Sequence, residues 1–248
     1  MKWRVVDFEY WSAAMNMGID ESISEAVAAE RSAPTIRFYG WRPSAVSIGC
    51  FQSMKQEVDY PECLRLGIDV VRRRTGGGAV FHDEEGEITY SIIAPEDLMP
   101  SDIDKAYRQV CGQIVNALKV LGLDASFSPI NDVLVGGKKI SGSAQTRRGG
   151  VFLQHGTLLT DLHSDTMFKV LRVSKAKMSE RLYFDPAARV TSLRNYGIAS
   201  RQKVLKALKD AFTAGREWEE GSWSDQEMKR ARHLAEKRYT SKEWNFSR

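Results

Sequence analysis

Two glycine pairs constrain this 248-residue chain more than any other feature. Gly136-Gly137 and Gly149-Gly150 divide the stretch from Asn131 to Leu159 into three β-rich runs: Asn131 to Val135, Lys139 to Gln145 and Val151 to Leu159. Glycine adopts the backbone dihedrals of a tight turn without a Cβ clash, so the runs are expected to be consecutive strands joined by short turns. Directly before them, Ile103, Tyr107, Val110, Ile114, Leu118 and Leu121 recur at spacings of four and three, one apolar face of a helix over Ile103 to Leu121. Upstream, Trp3 to Glu9 alternates as a strand and Ala13 to Ala29 reads as a helix through Met15, Ile19 and Ile23. Thr35 to Tyr39, Ala45 to Ile48 and Ile68 to Val71 are short strand candidates, the first two separated by a turn at Trp41-Arg42-Pro43. Glu87 to Ile93 is expected to return from Ala79-Val80-Phe81, with Asp83 to Gly86 as a hairpin tip. The C-terminal third is helical. Val204, Leu205, Leu208 and Phe212 form a stripe, and Ser224 with Glu227 makes a capping-box pattern. Strands and helices are grouped rather than strictly alternated, which favours an α+β fold with helices packed on one side of a sheet over a doubly wound sheet.

Composition narrows the function. Hydrophobic residues make up 42% of the chain, enough for one large core. No run approaches the roughly 18 apolar residues of a membrane span. Met1-Lys2-Trp3-Arg4 leads into an alternating stretch rather than an apolar signal core, so the expected location is the cytoplasm, with no membrane partner. Three cysteines, Cys50, Cys63 and Cys111, form neither a disulfide framework nor a zinc spacing. The net charge of +4 is mild, and no nucleic-acid partner is expected without a concentrated basic footprint. An acidic carrier protein and a nucleotide fit this charge equally well.

Two constellations carry chemistry. In Arg72-Arg73-Arg74-Thr75-Gly76-Gly77-Gly78-Ala79-Val80-Phe81-His82-Asp83, three glycines let backbone N–H groups approach an anion, and the arginines can supply forked donors. The run is neither a P-loop nor a dinucleotide fingerprint. Triple glycine alone would read as a turn; with three arginines in the loop an anion site is the better reading. The second constellation is Asn131-Asp132 followed by Lys138-Lys139-Ile140-Ser141-Gly142-Ser143. If Lys139 begins a strand, it shares a face with Ser141 and Ser143, and its ammonium can stabilise charge developing on a reacting group. Asp132 can offer Mg²⁺ a carboxylate. From spacing alone, Lys138 and Lys139 read better as exposed hairpin lysines. His155, inside an apolar strand, and His82, at a turn, read as structural residues. No Ser/His/Asp order and no metal-ligand cluster stands out.

Taken together, Arg72 to Asp83, Asn131-Asp132, Lys139 to Ala144 and Leu153 to Leu159 resemble the catalytic domain of lipoate–protein ligases, with a match extending to Tyr239–Asn245. The resemblance implies a mixed sheet flanked by helices, as in biotin ligases and class II aminoacyl-tRNA synthetases. It implies a single lipoate ligase-like catalytic domain over residues 1–248, with no C-terminal accessory domain. By the same resemblance Arg73 and Thr75, Gly76, Gly77, Gly78 and Ala79 line a lipoyl-adenylate. Lys139 touches its carbonyl and phosphate, Asp132 lies near the metal and phosphates, and Arg147 is a further ATP-side contact. The implied enzyme is an ATP-dependent lipoate–protein ligase. It takes lipoate as substrate with ATP and Mg²⁺, and its acceptors are lipoyl carrier domains such as the glycine cleavage H protein or the E2 component of 2-oxoacid dehydrogenases. A separate small accessory subunit is expected to assist adenylation, because a hydrolysable anhydride needs a closed site.

Ile36 to Gln52, Ser143 to Leu159 and His233 to Asn245 resemble even more closely the bacterial octanoyltransferases of the same superfamily, so the whole-chain similarity leans toward a transferase. Those enzymes use a cysteine thioester, with the cysteine in a longer segment before the strand that leads to the lysine. Phe127-Ser128-Pro129-Ile130-Asn131-Asp132 occupies that place here and holds no cysteine. Removing the nucleophile removes the covalent route, so the ligase is the leading expectation. The alternative is an ATP-independent octanoyl or lipoyl transferase between carrier proteins, with a relocated cysteine. A non-catalytic lipoate- or carrier-binding subunit is a third reading, disfavoured by the pairing of Arg73 with Lys139.

Overall fold

The computed structural model describes residues 1–172 and 189–248. In chain order its strands are β1 (Trp3–Trp11), β2 (Thr35–Trp41), β3 (Ala45–Ile48), β4 (Asp69–Arg72), β5 (Val80–His82), β6 (Glu87–Pro95), β7 (Ala125–Ser128), β8 (Asp132–Val135), β9 (Lys138–Arg148), β10 (Val151–Leu159) and β11 (Trp218–Glu220). The helices are α1 (Ala13–Ala28), α2 (Met54–Glu57), α3 (Tyr60–Leu66), α4 (Ile103–Val120), α5 (Ser164–Val170), α6 (Arg201–Thr213), α7 (Asp225–Leu234) and α8 (Lys242–Asn245). Eight strands form one mixed sheet in the order β11-β1-β2-β6-β10-β9-β8-β7, and β4-β3-β5 form a small second sheet. The expected α+β fold, a mixed sheet flanked by helices, is what the chain adopts.

The two glycine pairs make the turns they were expected to make. Gly136, Gly137, Gly149 and Gly150 have φ of 57°, 74°, 59° and 76°, and they join β8 to β9 and β9 to β10 as antiparallel neighbours. Left-handed φ at both central positions matches the right-handed twist of the flanking strands. β9 carries one irregularity: Val133 pairs with Ser141 and Leu134 with Lys139, so Ile140 is the extra residue of a bulge, its side chain buried in the main core.

Two expectations fail, each for a reason of packing. Helices cover both faces of the large sheet. Ile88, Tyr90 and Ile92 of β6 face the core built with α4 and α6, while Ile93 faces Ile19, Ile23 and Val27 of α1 and Ala231 of α7. Helix α1, expected over Ala13 to Ala29, also buries Asn16, Asp20, Glu21 and Ser22 beside its apolar residues. The expected hairpin between β5 and β6 does not form. β5 pairs with β3, whereas β6, buried along nearly its whole length, uses both edges for β2 and β10. Asp83 Oδ1 accepts the N–H groups of Glu85 and Gly86 and turns the chain from one sheet to the other. Likewise β2 and β3 flank a turn but lie in different sheets. The capping box at α7 is present: Ser224 Oγ accepts from Glu227 N–H and the Glu227 carboxylate accepts from Ser224 N–H. No helix among the described residues is long and apolar enough to cross a membrane.

Candidate active site

A cavity of about 310 Å³ lies between the small sheet and the large one, at the lower end of the roughly 300–1,000 Å³ that small-molecule sites occupy. The glycine loop and β5 form one wall, β9, β10, β6 and β2 the other, and Met167 of α5 with Leu171 just beyond it closes one side. Trp41 on β2 and Lys139 on β9 both line it. Three strand intervals separate β2 from β9 in the sheet order, so the space runs roughly 14 Å across the strands. Tyr39, Trp41, Met17 and Phe81 make one end apolar, and Lys139, with its side chain 43% exposed, opens the other to solvent.

The bulge at Ile140 breaks the alternation expected to put Lys139, Ser141 and Ser143 on one face: Lys139 lies over Gly142, which pairs with Thr157 of the cavity wall, whereas Ser141 pairs with the core residues Val133 and Leu158 and Ser143 Oγ lies 2.8 Å from the Tyr90 hydroxyl. Lys139 Nζ pairs with Asp132 Oδ1 at 2.7 Å. Its side chain crosses Gly142, where a Cβ would lie 2.7 Å from both Cε and Nζ. Asn131 lines the cavity and is tied to β9, donating to Ser143 O and accepting from Ser143 N–H. Ser141 Oγ is buried and has no hydrogen-bond partner among the described residues. Among the described residues no three His, Cys, Asp or Glu side chains cluster as metal ligands. Asp132, the carboxylate expected beside a metal, is engaged by Lys139.

The arginine run divides three ways. Arg72 leaves the cavity: its guanidinium donates to Gly49 O, Cys50 O, Gln52 O, Trp244 O and Asn245 O. Arg74 pairs with Glu21 at 3.0 Å. Arg73 lines the cavity, yet its donors are committed to the loop itself: Nε to Thr75 Oγ1, Nη1 to Ser47 O and Oγ, and Nη2 to Gly76 O and Gly78 O. A guanidinium has five N–H groups, and all five are used. Burial pulls this guanidinium down to about 10. The structure therefore makes Arg73 the organiser of the glycine loop and does not gather three arginines around an anion. Gly77, Gly78 and Ala79 reach the cavity wall; Thr75 and Gly76 stand behind it. Arg147 sits three residues beyond Ala144, the last cavity residue of β9, with its guanidinium over Phe152 and donating to Pro100 O. It does not line the cavity.

Sequence reading gave His82 and His155 structural roles without their partners. Both belong to buried hydroxyl–imidazole–carboxylate chains that meet at Arg73. Thr75 Oγ1 lies 2.7 Å from His155 Nε2, whose Nδ1 is 3.1 Å from Asp20. Ser47 Oγ lies 2.8 Å from His82 Nε2, whose Nδ1 is 2.7 Å from Glu87. Burial lowers the His155 pKa and outweighs the opposing pull of Asp20. Trp41 stacks on His82 with ring centroids 3.9 Å apart and donates to Thr89. Asp20 on α1, Thr75 in the glycine loop and Ser47 on β3 are distant in sequence from the imidazoles they meet, and only tertiary contact could have revealed them.

None of the three cysteines lines the cavity. Cys63 and Cys111 are fully buried, and burial pushes each thiol up to about 11. Cys50 is half-buried, its N–H donating to Thr75 O behind the glycine loop.

Residues 12–213 match the lipoyl protein ligase A/B catalytic domain family. The chain belongs to this family. Among its relatives within the superfamily is octanoyltransferase LipM of Geobacillus kaustophilus, 35% identical over 99% of this chain and 98% of the relative. Among solved structures, the bi-partite lipoate protein ligase of Thermoplasma acidophilum, described with its E2 lipoyl domain, is 31% identical. It superposes with a TM-score of 0.87 over 99% of this chain and 96% of that one. A lipoate-protein ligase A bound with ATP is also 31% identical, with a TM-score of 0.84 and 99% of each chain covered. The full-length curated relatives overturn the expectation of an ATP-dependent, acyl-adenylate-forming ligase with ATP and Mg²⁺, because they are octanoyltransferases at about 35% identity. The expectation put too much weight on one missing thiol. Losing an enzyme nucleophile closes the covalent route, but an amine can still attack an activated acyl group directly.

Proposed function

We propose that this member of the lipoyl protein ligase A/B family is an ATP-independent acyltransferase that moves an octanoyl group onto the ε-amine of a lysine in a lipoyl carrier domain. The observation that carries this reading is the cavity: an apolar channel across the sheet with Lys139 at its open end. The alkyl tail would lie between the glycine loop and the large sheet, its far end against Trp41. Without ATP the acyl group must arrive activated, and a thioester on a donor carrier meets that need.

The reaction then needs no thiol from the chain. The acceptor amine attacks the thioester carbonyl carbon, the C–S bond breaks, and the departing thiolate takes up the proton lost by the amine. Lys139 supplies the preorganised charge for the oxyanion of the tetrahedral intermediate. The glycine loop, held by Arg73, shields the channel from water and limits hydrolysis. Residues 1–248 act as one catalytic domain in this reading, and a glycine cleavage H protein or an E2 lipoyl domain is a suitable acceptor. The accessory subunit expected to assist adenylation has no step to assist here.

The test supplies an octanoyl thioester carrier, an unmodified lipoyl domain and the purified chain, with ATP and Mg²⁺ omitted. The expected product is the octanoylated lipoyl domain, detected by intact mass. No transfer, or transfer only after ATP is added, would overturn the proposal.

A further inference from the structure

The transfer leaves open where the acceptor docks. The hairpin between β7 and β8 ends in an apex at Pro129–Ile130, and Ile130 is 62% exposed. Its chain neighbours are not free: Asn131 is bonded to β9, and Asp132, two residues on, holds Lys139 at the cavity mouth. An exposed branched apolar side chain is thus fixed beside the reacting centre. On the adjacent helix α4, Arg108 lies over Phe127 of the same hairpin, 4.9 Å from guanidinium carbon to ring centroid. Arg108 is exposed and makes no ion pair among the described residues. Elsewhere exposed arginines such as Arg65 and Arg230 do have carboxylate partners on this surface. An apolar apex beside an unpaired cation has the make-up of a small interface anchor.

We infer that the β7–β8 apex, Ile130 with Arg108, is the docking point for the acceptor carrier, which meets it with an apolar residue and an acidic side chain flanking its target lysine. The inference rests on the transferase reading. Once the carrier is seated on the apex, its lysine needs to travel only the width of the Asp132–Lys139 pair to enter the cavity. Arg108 adds electrostatic steering, which salt screens. The apex orients the acceptor and takes no part in the chemistry.

The experiment compares two acceptors, an intact lipoyl domain and a short lysine amide, with the same octanoyl thioester donor. Ile130→Ser is expected to raise KM for the lipoyl domain roughly tenfold, with kcat nearly unchanged. The same variant should leave the rate with the lysine amide within twofold. Arg108→Gln should raise KM for the lipoyl domain and weaken the salt dependence of transfer. If both acceptors slow equally, the apex only supports Asn131 and Asp132, and the inference fails. It fails also if KM for the carrier is unchanged, or if Ile130→Ser alters only self-association in sedimentation. Absence of transfer by the unsubstituted chain with either acceptor would instead defeat the transferase reading itself.

Discussion

The Lys139 ammonium reaches Asp132, 2.7 Å away, by crossing the bare Cα of Gly142. A glycine in a strand interior usually weakens it; here it clears the path of the lysine head. Gly142→Ala would place a methyl group 2.7 Å from Cε and Nζ, and the flexible lysine end would move before the backbone did. The variant should therefore fold with an unchanged melting temperature and transfer octanoate about tenfold more slowly. Lys139→Ala should cost about a hundredfold or more, as for other preorganised charge stabilisers. Steady-state rates with an octanoyl thioester donor check both, and near-normal turnover by Lys139→Ala would remove the lysine from the chemistry.

Gly77 has a φ of 90°, and a Cβ there would lie 2.8 Å from Arg73 Nη2. Gly77→Val should strain the backbone by about 1–2 kcal/mol and push the Arg73 fork away from Gly76 O and Gly78 O. We expect a folded protein that has lost most of its affinity for octanoate. Calorimetric titration alongside thermal unfolding separates the two effects, and unchanged affinity in a folded variant would contradict this placement of the loop.

Cys63→Ala and Cys111→Ala should keep transfer within a few-fold of the parent chain, since neither thiol faces the cavity and burial keeps both protonated at neutral pH. Cys50→Ala, behind the glycine loop, should also retain turnover. An acyl adduct on any cysteine, released by neutral hydroxylamine, would restore a thioester route.

Glu227 links acid stability to the capping box of α7. Burial alone would raise its pKa, but the Arg4 fork, the Ser224 N–H and the Ser32 hydroxyl outweigh that and bring it down to about 2. A carboxylate with a depressed pKa contributes stability that is present above its unfolded value near 4.5 and is lost as pH falls toward 2. The contribution is on the order of 2–3 kcal/mol. Denaturant unfolding of Glu227→Gln should show lower stability at pH 7 and a flatter dependence between about pH 4.5 and 2. An unchanged acid profile would assign the pH dependence to other carboxylates.

The sequence by itself determined the local elements. Gly136-Gly137 and Gly149-Gly150 could only be tight turns, and the periodicity of Ile103 to Leu121 could only be an amphipathic helix. These features depend on dihedral preference and on hydrophobic spacing within a few residues, which the chain carries locally. Tertiary structure decided what those residues face. It sent β5 and β6 into different sheets because β6 needed two long neighbours. It scattered Arg72, Arg73 and Arg74 to the C-terminal segment, the glycine loop and α1, each drawn to acceptors or a carboxylate far away in sequence. It left Cys111 beneath β9 rather than in the cavity. A guanidinium or a thiol takes its role from the groups around it, and those are set by long-range packing that no short motif encodes.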